Sequence, residues 1–196
     1  MGRIRFMRFG GSANPEDESF SGVSTQMLAT DSAAPALATP DDFKRGMRQL
    51  AAGVNVITVA IAGVREGLTA TAVCSISAEP PQLLVCVNST AGAHGPIHRA
   101  GSFCLNVLAH DQEAIARRFA GMDGADREDR FSIGRWSMLS TGAPALDGAL
   151  ANFDCIVVRE IEAATHTVFI GRVLGVRTNE GTPLIYSHGR FTGIAD

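Results

Sequence analysis

The sequence predicts a mainly β protein, a barrel or sandwich of short antiparallel strands carrying a few helices. Three observations predict it. Runs rich in Val, Ile, Thr and Leu recur between glycine-bearing turns, at 54–62, 67–77, 82–88, 103–108, 153–161, 166–177 and 183–187. Helical signals are confined to three segments. At 196 residues, with 45% hydrophobic and 19% charged residues, the chain can bury one real core and is too apolar for disorder. Such strands close into a barrel or stack as a sandwich, and their number does not choose between the two.

Residues 1–39 are rich in Ser, Ala, Gly and Pro and lack periodicity. They read as a flexible tail ahead of a domain at 40–196, and alternatively as a segment that folds over the active site or a partner subunit. Met1 to Gly11 holds Arg3, Arg5 and Arg8 but no apolar stretch, so it is a poor secretory signal, and Met7 and Met27 are alternative starts. The domain opens at Thr39-Pro40-Asp41-Asp42, with a capping Thr, Pro at the first helical position and acids in the first turn. Phe43, Met47 and Leu50 then form one apolar stripe, and Gly53 ends the helix. A short helix is expected at 94–100. Another is expected at 111–120, capped by Asp111, with Ile115 and Phe119 inward. Residues 121–150 look irregular and contain the only tryptophan, Trp136.

A formal charge of −3 gives no electrostatic case for nucleic acid. No apolar run is long enough to span a bilayer, and Val54 to Ala62 reads as a buried strand. Cys74, Cys86, Cys104 and Cys155 form no Cys-x-x-Cys pair and lie in apolar runs. They read as reduced, buried thiols of a cytoplasmic protein.

The most informative segment is Gly67 to Pro81, GLTATAVCSISAEPP. Its small side chains let a flat ligand approach the backbone, and Thr69, Thr71 and Ser75 offer hydroxyls. Ala70, Ala72 and Val73 suit an apolar ring edge. The plainer reading is a Thr-rich edge strand with its hydroxyls in water. Asn88 to His94 (NSTAGAH) follows a strand and precedes a short helix, and its polar groups suit a phosphate, with Arg99 or Arg118 as the cation. His94 and His98 are spaced i, i+4, but no third ligand and no His-Glu-x-x-His signature accompany them, so no metal site is expected. No Gly-x-Ser-x-Gly elbow, Walker loop or Gly-x-Gly-x-x-Gly fingerprint is present. The acids Asp123, Asp126, Glu128 and Asp129, around Arg127 and Arg130, read as a solvated loop.

Seven pieces in order, GVNVITV from Gly53, GLTATAVCSIS from Gly67, LLVCVN from Leu83, FCLNVL from Phe103, RFAG from Arg118, THTVFIG from Thr165 and PLIYSHGRF from Pro183, resemble the short-chain flavin reductase family. Members supply reduced flavin to two-component monooxygenases. The resemblance implies an FMN-binding split barrel, a homodimer with flavin sites near the subunit interface, FMN or FAD as cofactor and NAD(P)H as donor. It implies flavin contacts at Gly67, Leu68, Thr69, Ala70, Thr71, Ala72, Ser75, Asn88, Ser89, Ala93, Arg118, Phe119, Tyr186 and His188. His166, at the start of a strand, would place the nicotinamide and is the catalytic candidate. Arg190 could meet a nucleotide phosphate. Gly92-Ala93 departs from the bulkier polar or basic residue found there in several members, which leaves FMN against FAD open. The family also includes reductases of cobalt(II) corrinoids, and a flavin store or sensor without turnover is a further alternative.

Overall fold

A computed structural model describes residues 37–194, so the tail expected at 1–39 lies outside the described residues except for its last three. Helix α1 spans Pro40–Met47, with the Thr39 hydroxyl accepting from the Asp42 amide at 3.1 Å. The strands that follow are β1 (Ala52–Gly53), β2 (Asn55–Ile61), β3 (Val64–Ala70), β4 (Val73–Ala78) and β5 (Pro81–Asn88). Helix α2 (His94–Ala100) leads to β6 (Ser102–Val107), and a 3₁₀ turn at His110–Gln112 leads to α3 (Glu113–Phe119). A second 3₁₀ turn, Arg127–Ser132, precedes β7 (Trp136–Met138), β8 (Pro144–Leu146), β9 (Ala151–Ala163), β10 (His166–Thr178), β11 (Ile185–Ser187) and β12 (Arg190–Thr192).

Seven strands form the main sheet in the order β3-β2-β6-β9-β10-β5-β4, every neighbour antiparallel. Six reversals give the two end strands, β3 and β4, the same direction. Flat, they would stand about 29 Å apart, at about 4.8 Å per gap. Yet only Thr71 and Ala72 separate them in the chain, and three Cα steps reach at most about 11 Å. The sheet must therefore curl until its ends meet. The chain runs on from β3 into β4 and changes neighbour at Thr71-Ala72, from β2 to β5, where the Ala72 carbonyl accepts from the Cys86 amide at 3.0 Å. The run expected as one strand at 67–77 is thus two strand segments, which stand at the two ends of the curled sheet.

Inside the curl pack Ile57, Val59, Val85, Val87, Phe103, Leu105, Cys155 and Phe169, all buried. A second apolar layer lies outside it, where Val54, Val56, Leu108, Ile115, Phe119, Leu146 and Leu184 meet. Phe119 touches Phe131 and Trp136 edge-on or tilted, with ring centroids 5.1 and 5.4 Å away. Between the layers, Asn106 is a wholly buried hub. It donates to the Val56 carbonyl (3.0 Å) and accepts from the Leu146 amide and the Asn152 side-chain amide, both at 2.7 Å. Arg177 extends the network by donating to Asn152 Oδ1 at 2.8 Å.

The structure corrects three details. Helix α1 stops at Met47, and Gly53 sits in β1 instead of ending the helix. Asp111 lies within the 3₁₀ turn and caps nothing; Gln112 accepts from the Ala109 amide at 3.0 Å before α3 begins. Residues 121–150 are less irregular than expected, since β7 and β8 pair there. Among the described residues no helix is long and apolar enough to cross a membrane.

Candidate active site

Strand alternation sorts the residues of the kinked strand onto two faces. Leu68, Ala70 and Val73 pack against the barrel interior. Ser75 follows on that side and lines a cavity of about 340 Å³ at the barrel mouth, with Leu83, Leu105 and Phe153. Gly67 and Thr69 face α3. The Thr69 hydroxyl donates to the Ala116 carbonyl at 2.7 Å, and a Cβ on Gly67 would lie 2.7 Å from the Phe119 ring.

The kink itself opens onto a cleft of about 590 Å³, within the ordinary range for a small-molecule site. Thr71, Ala72 and Cys74 line it from the strand, Leu84 and Cys86 from β5, and Tyr186 and His188 from the β11–β12 hairpin. Its remaining wall is α1 and the turn after it, where Phe43, Met47 and Leu50 stand beside Lys44 and Arg48. Phe43, Met47 and Leu50 are 64%, 48% and 58% exposed, so this helix contributes no buried residue to the barrel. His188 sits at a tight turn with a left-handed backbone, followed by Gly189. Its ring is held by Ser187 Oγ at 2.9 Å and Gln49 Oε1 at 3.1 Å, and its amide donates to the Arg48 carbonyl. Burial raises the Cys86 thiol above its ordinary value, so this part of the lining is neutral at physiological pH.

Along β5, Leu84, Cys86 and Asn88 share one face, and Asn88 follows Cys86 by about 7 Å. Asn88 is paired with His166 of β10, which brings those two predicted residues together. The side-chain Oδ1 of Asn88 accepts from the Thr90 amide (2.9 Å) and hydroxyl (2.8 Å), and the Ser89 hydroxyl donates to the Thr165 carbonyl at 3.1 Å. Thr165 Oγ1 also meets His166 Nδ1 at 2.9 Å.

Ala93, Arg118 and Phe119, like Gly67, Leu68, Thr69, Ala70 and Ser75, do not line that cleft. Ala93 and Phe119 are buried, the latter beneath Gly67. Arg118 is tied to Asp123, to the Asp129 carbonyl (3.0 Å) and to Ser132 Oγ (3.0 Å). That guanidinium holds the Asp123 carboxyl below its usual range. The two helical histidines are separated in role: His94 meets Thr167 Oγ1 at 2.8 Å and packs edge-on against Phe169, while His98 pairs with Glu160 at 2.8 Å. Among the described residues no cluster of three or more metal-ligating side chains occurs. Sequence reading passed over Leu84 and Cys86; their place in an alternating strand was the available signal.

An apolar cleft edged by hydroxyls, next to small residues that let a ring reach the backbone, fits a flat ligand with one polar edge. On a curled sheet of this kind, such a cleft suits a flavin-dependent oxidoreductase. The model of the flavin reductase like domain matches residues 47–195, and the chain belongs to that family. The FMN reductase (NADH) RutF of Ancylobacter novellus is 37% identical over 182 residues, covering 92% of this chain and 94% of the relative. BorF, the flavin reductase component of a bacterial two-component tryptophan halogenase, superposes with a TM-score of 0.74 at 34% identity, covering 81% of this chain and 99% of its own. The NADH:FAD oxidoreductase SgcE6 of Streptomyces globisporus C-1027 gives 0.73 at 31% identity, covering 84% of this chain and 100% of its own.

Proposed function

We propose that this chain is the reductase half of a two-component system, reducing flavin with NADH and releasing it to a separate oxygenase. The reduction itself carries over from the family: the chain is an NADH-dependent flavin reductase, an oxidoreductase. The release step rests on relatives such as BorF, which serve a second component. The observation that carries the reading is the kink at Thr71-Ala72 opening onto the cleft beneath α1.

Flavin when bound supplies the redox chemistry, accepting a hydride equivalent from the nicotinamide. The protein's task is placement. Thr71 and the backbone of Ala72 meet the polar edge of the ring. Leu84, Cys86 and the α1 stripe cover its apolar part and exclude water. Asn88 and Ser89 lie toward the sugar and phosphate end. His166, beside Asn88, positions the nicotinamide, and Tyr186 and His188 close the mouth. Gly67, Leu68, Thr69, Ala70, Ala93, Arg118 and Phe119 hold this surface in shape, and Ser75 stands behind it at the barrel mouth.

FMN is the preferred flavin, with FAD accepted. The protein works in the cytoplasm as a split-barrel homodimer, and the second subunit covers the exposed face of α1. The test is anaerobic addition of NADH to the protein with FMN or FAD. The expected result is rapid bleaching of the flavin absorbance, and flavin that binds yet stays oxidised would refute the reading. His166→Ala should raise the KM for NADH more than it changes flavin affinity. The reverse pattern would move His166 onto the flavin.

A further inference from the structure

The family resemblance offers Arg118 as the cation for a phosphate, but its guanidinium is already bound by Asp123, Asp129 and Ser132. The loop at Asn88–Ala93 instead receives a different arginine. Arg127, from the second 3₁₀ turn, lies across Gly92. A Cβ there would sit 1.8 Å from Nη2 and 1.9 Å from Cζ, so the guanidinium occupies the space that any other residue at 92 would fill. Glu66 of β3 grips Arg127 from one side, at 2.7 Å through Nη2 and 3.0 Å through Nε. Among the described residues Nη1 has no hydrogen-bond partner.

A second arginine is arranged in the same way. Arg99 folds over Gly95, its Nη1 3.0 Å from the place of a Cβ. Among the described residues Arg99 has no ion pair. Arg99, Arg127, Glu66 and Gly92 line one cavity of about 410 Å³, rimmed by Ile61 and Pro96. Arg99 and Arg127 are both exposed, and two guanidiniums against one carboxylate leave a net positive charge on the lining of a space large enough for an anion. Planar arginine forks suit phosphate oxygens, and charge-assisted bonds of this kind are the strong ones.

We propose that Arg127, seated on Gly92, together with Arg99, forms the recognition site for the phosphate monoester of a bound nucleotide. This rests on the flavin reductase reading and adds which residues grip the phosphate. The departure at Gly92 then has a reason: a cation supplied by the loop itself is replaced by one brought from 35 residues further along, and glycine leaves the space in which it lies. The ester belongs either to FMN at its 5′ end or to NADPH at its 2′ position.

The test titrates the protein with riboflavin and with FMN, following flavin fluorescence, in wild type, Arg127→Gln and Gly92→Ala. Arg127→Gln should lower the FMN-to-riboflavin affinity ratio on the order of tenfold, the loss expected for one charged hydrogen bond. Gly92→Ala should lower it similarly, since its Cβ evicts the guanidinium while the arginine remains. Binding of NADPH and NADH is measured alongside. A fall confined to the NADPH-to-NADH ratio assigns the site to the nicotinamide nucleotide and still supports a phosphate site. Both ratios unchanged in Arg127→Gln, or equal losses for the paired ligands, would overturn it. If Gly92→Ala fails to fold by circular dichroism, Arg127→Gln decides alone. Wild type that binds neither riboflavin nor FMN would instead sink the flavin reading beneath the proposal.

Discussion

Replacing Gly67 by alanine tests the packing behind the kinked strand. The new Cβ would lie 2.7 and 2.9 Å from two atoms of the Phe119 ring and 2.9 Å from the Ile57 carbonyl oxygen. The ring cannot retreat easily, because Phe131 and Trp136 pack against it and it is 2% exposed. Overpacking of this kind costs about 1–3 kcal/mol. For a domain of this size each kcal/mol moves the midpoint by about 2–4 °C, so Tm should fall by about 2–12 °C. The sign is diagnostic. The backbone at Gly67 is not left-handed, and at such a site alanine ordinarily stabilises by about 0.4–1 kcal/mol through the unfolded chain. Phe119→Leu in the Gly67→Ala background should recover part of the loss, a coupling of at least about 0.5 kcal/mol; rescue stays partial because the Ile57 carbonyl remains. The assay is thermal unfolding by circular dichroism for the four proteins of the cycle. A raised Tm in Gly67→Ala, or strictly additive losses, would refute the proposed contact.

Four further outcomes are expected. Asn106→Leu keeps the branched outline but strands the Leu146 amide and removes one acceptor of the Asn152 side-chain amide in the core, so urea unfolding should show a loss of at least about 2 kcal/mol. Thr69→Val removes the bond to Ala116 and should cost about 1 kcal/mol in the same assay; a loss of flavin affinity with stability intact would put that hydroxyl on the ligand instead. A thiol reagent at neutral pH should modify exposed Cys74 first and Cys86 slowly. It should leave Cys104 and Cys155 silent until the chain unfolds, because burial raises both thiols, Cys155 to about 12. The Asp123 carboxyl is lowered by Arg118, so its stabilising effect should be full above the unfolded value near 3.9 and vanish as pH falls through the lower folded value. The Tm difference between wild type and Asp123→Asn should accordingly persist at pH 7 and close only in strong acid; a difference that closes near pH 6 would show the pairing to be misassigned.

The strands were legible because Val, Ile and Thr runs report a pleated, half-buried surface wherever they fall. The change of neighbour at Thr71-Ala72 was not, since which strand lies alongside is a property of the whole sheet. The helix carrying Phe43 and Met47 was equally clear, yet a periodic stripe states only that an apolar face exists. Nothing local says that this one borders a cleft. The hub at Asn106 was hidden because a single Asn in FCLNVL looks like any outward polar residue. Of the site, Thr71, Ala72, Tyr186 and His188 do converge on one cleft, and Asn88 does stand beside His166. The loop around Arg127 read as solvated because its partner Glu66 is 61 residues away in the chain, and Arg130 likewise reaches back to the Gly67 carbonyl at 2.9 Å.

A strand that borders both ends of one sheet also bears on aggregation. An open sheet offers two unpaired margins to any passing chain. Here both margins belong to successive halves of a single strand, and Arg130 and α3 lie over the first half. The two-residue link therefore acts as a length-sensitive clasp. Extra residues between Ala62 and Gly63, in the tight β2–β3 turn, would merely lengthen a hairpin. The same insertion between Thr71 and Ala72 would let the halves separate, and the protein would expose sticky edges to its neighbours while retaining every strand it has now.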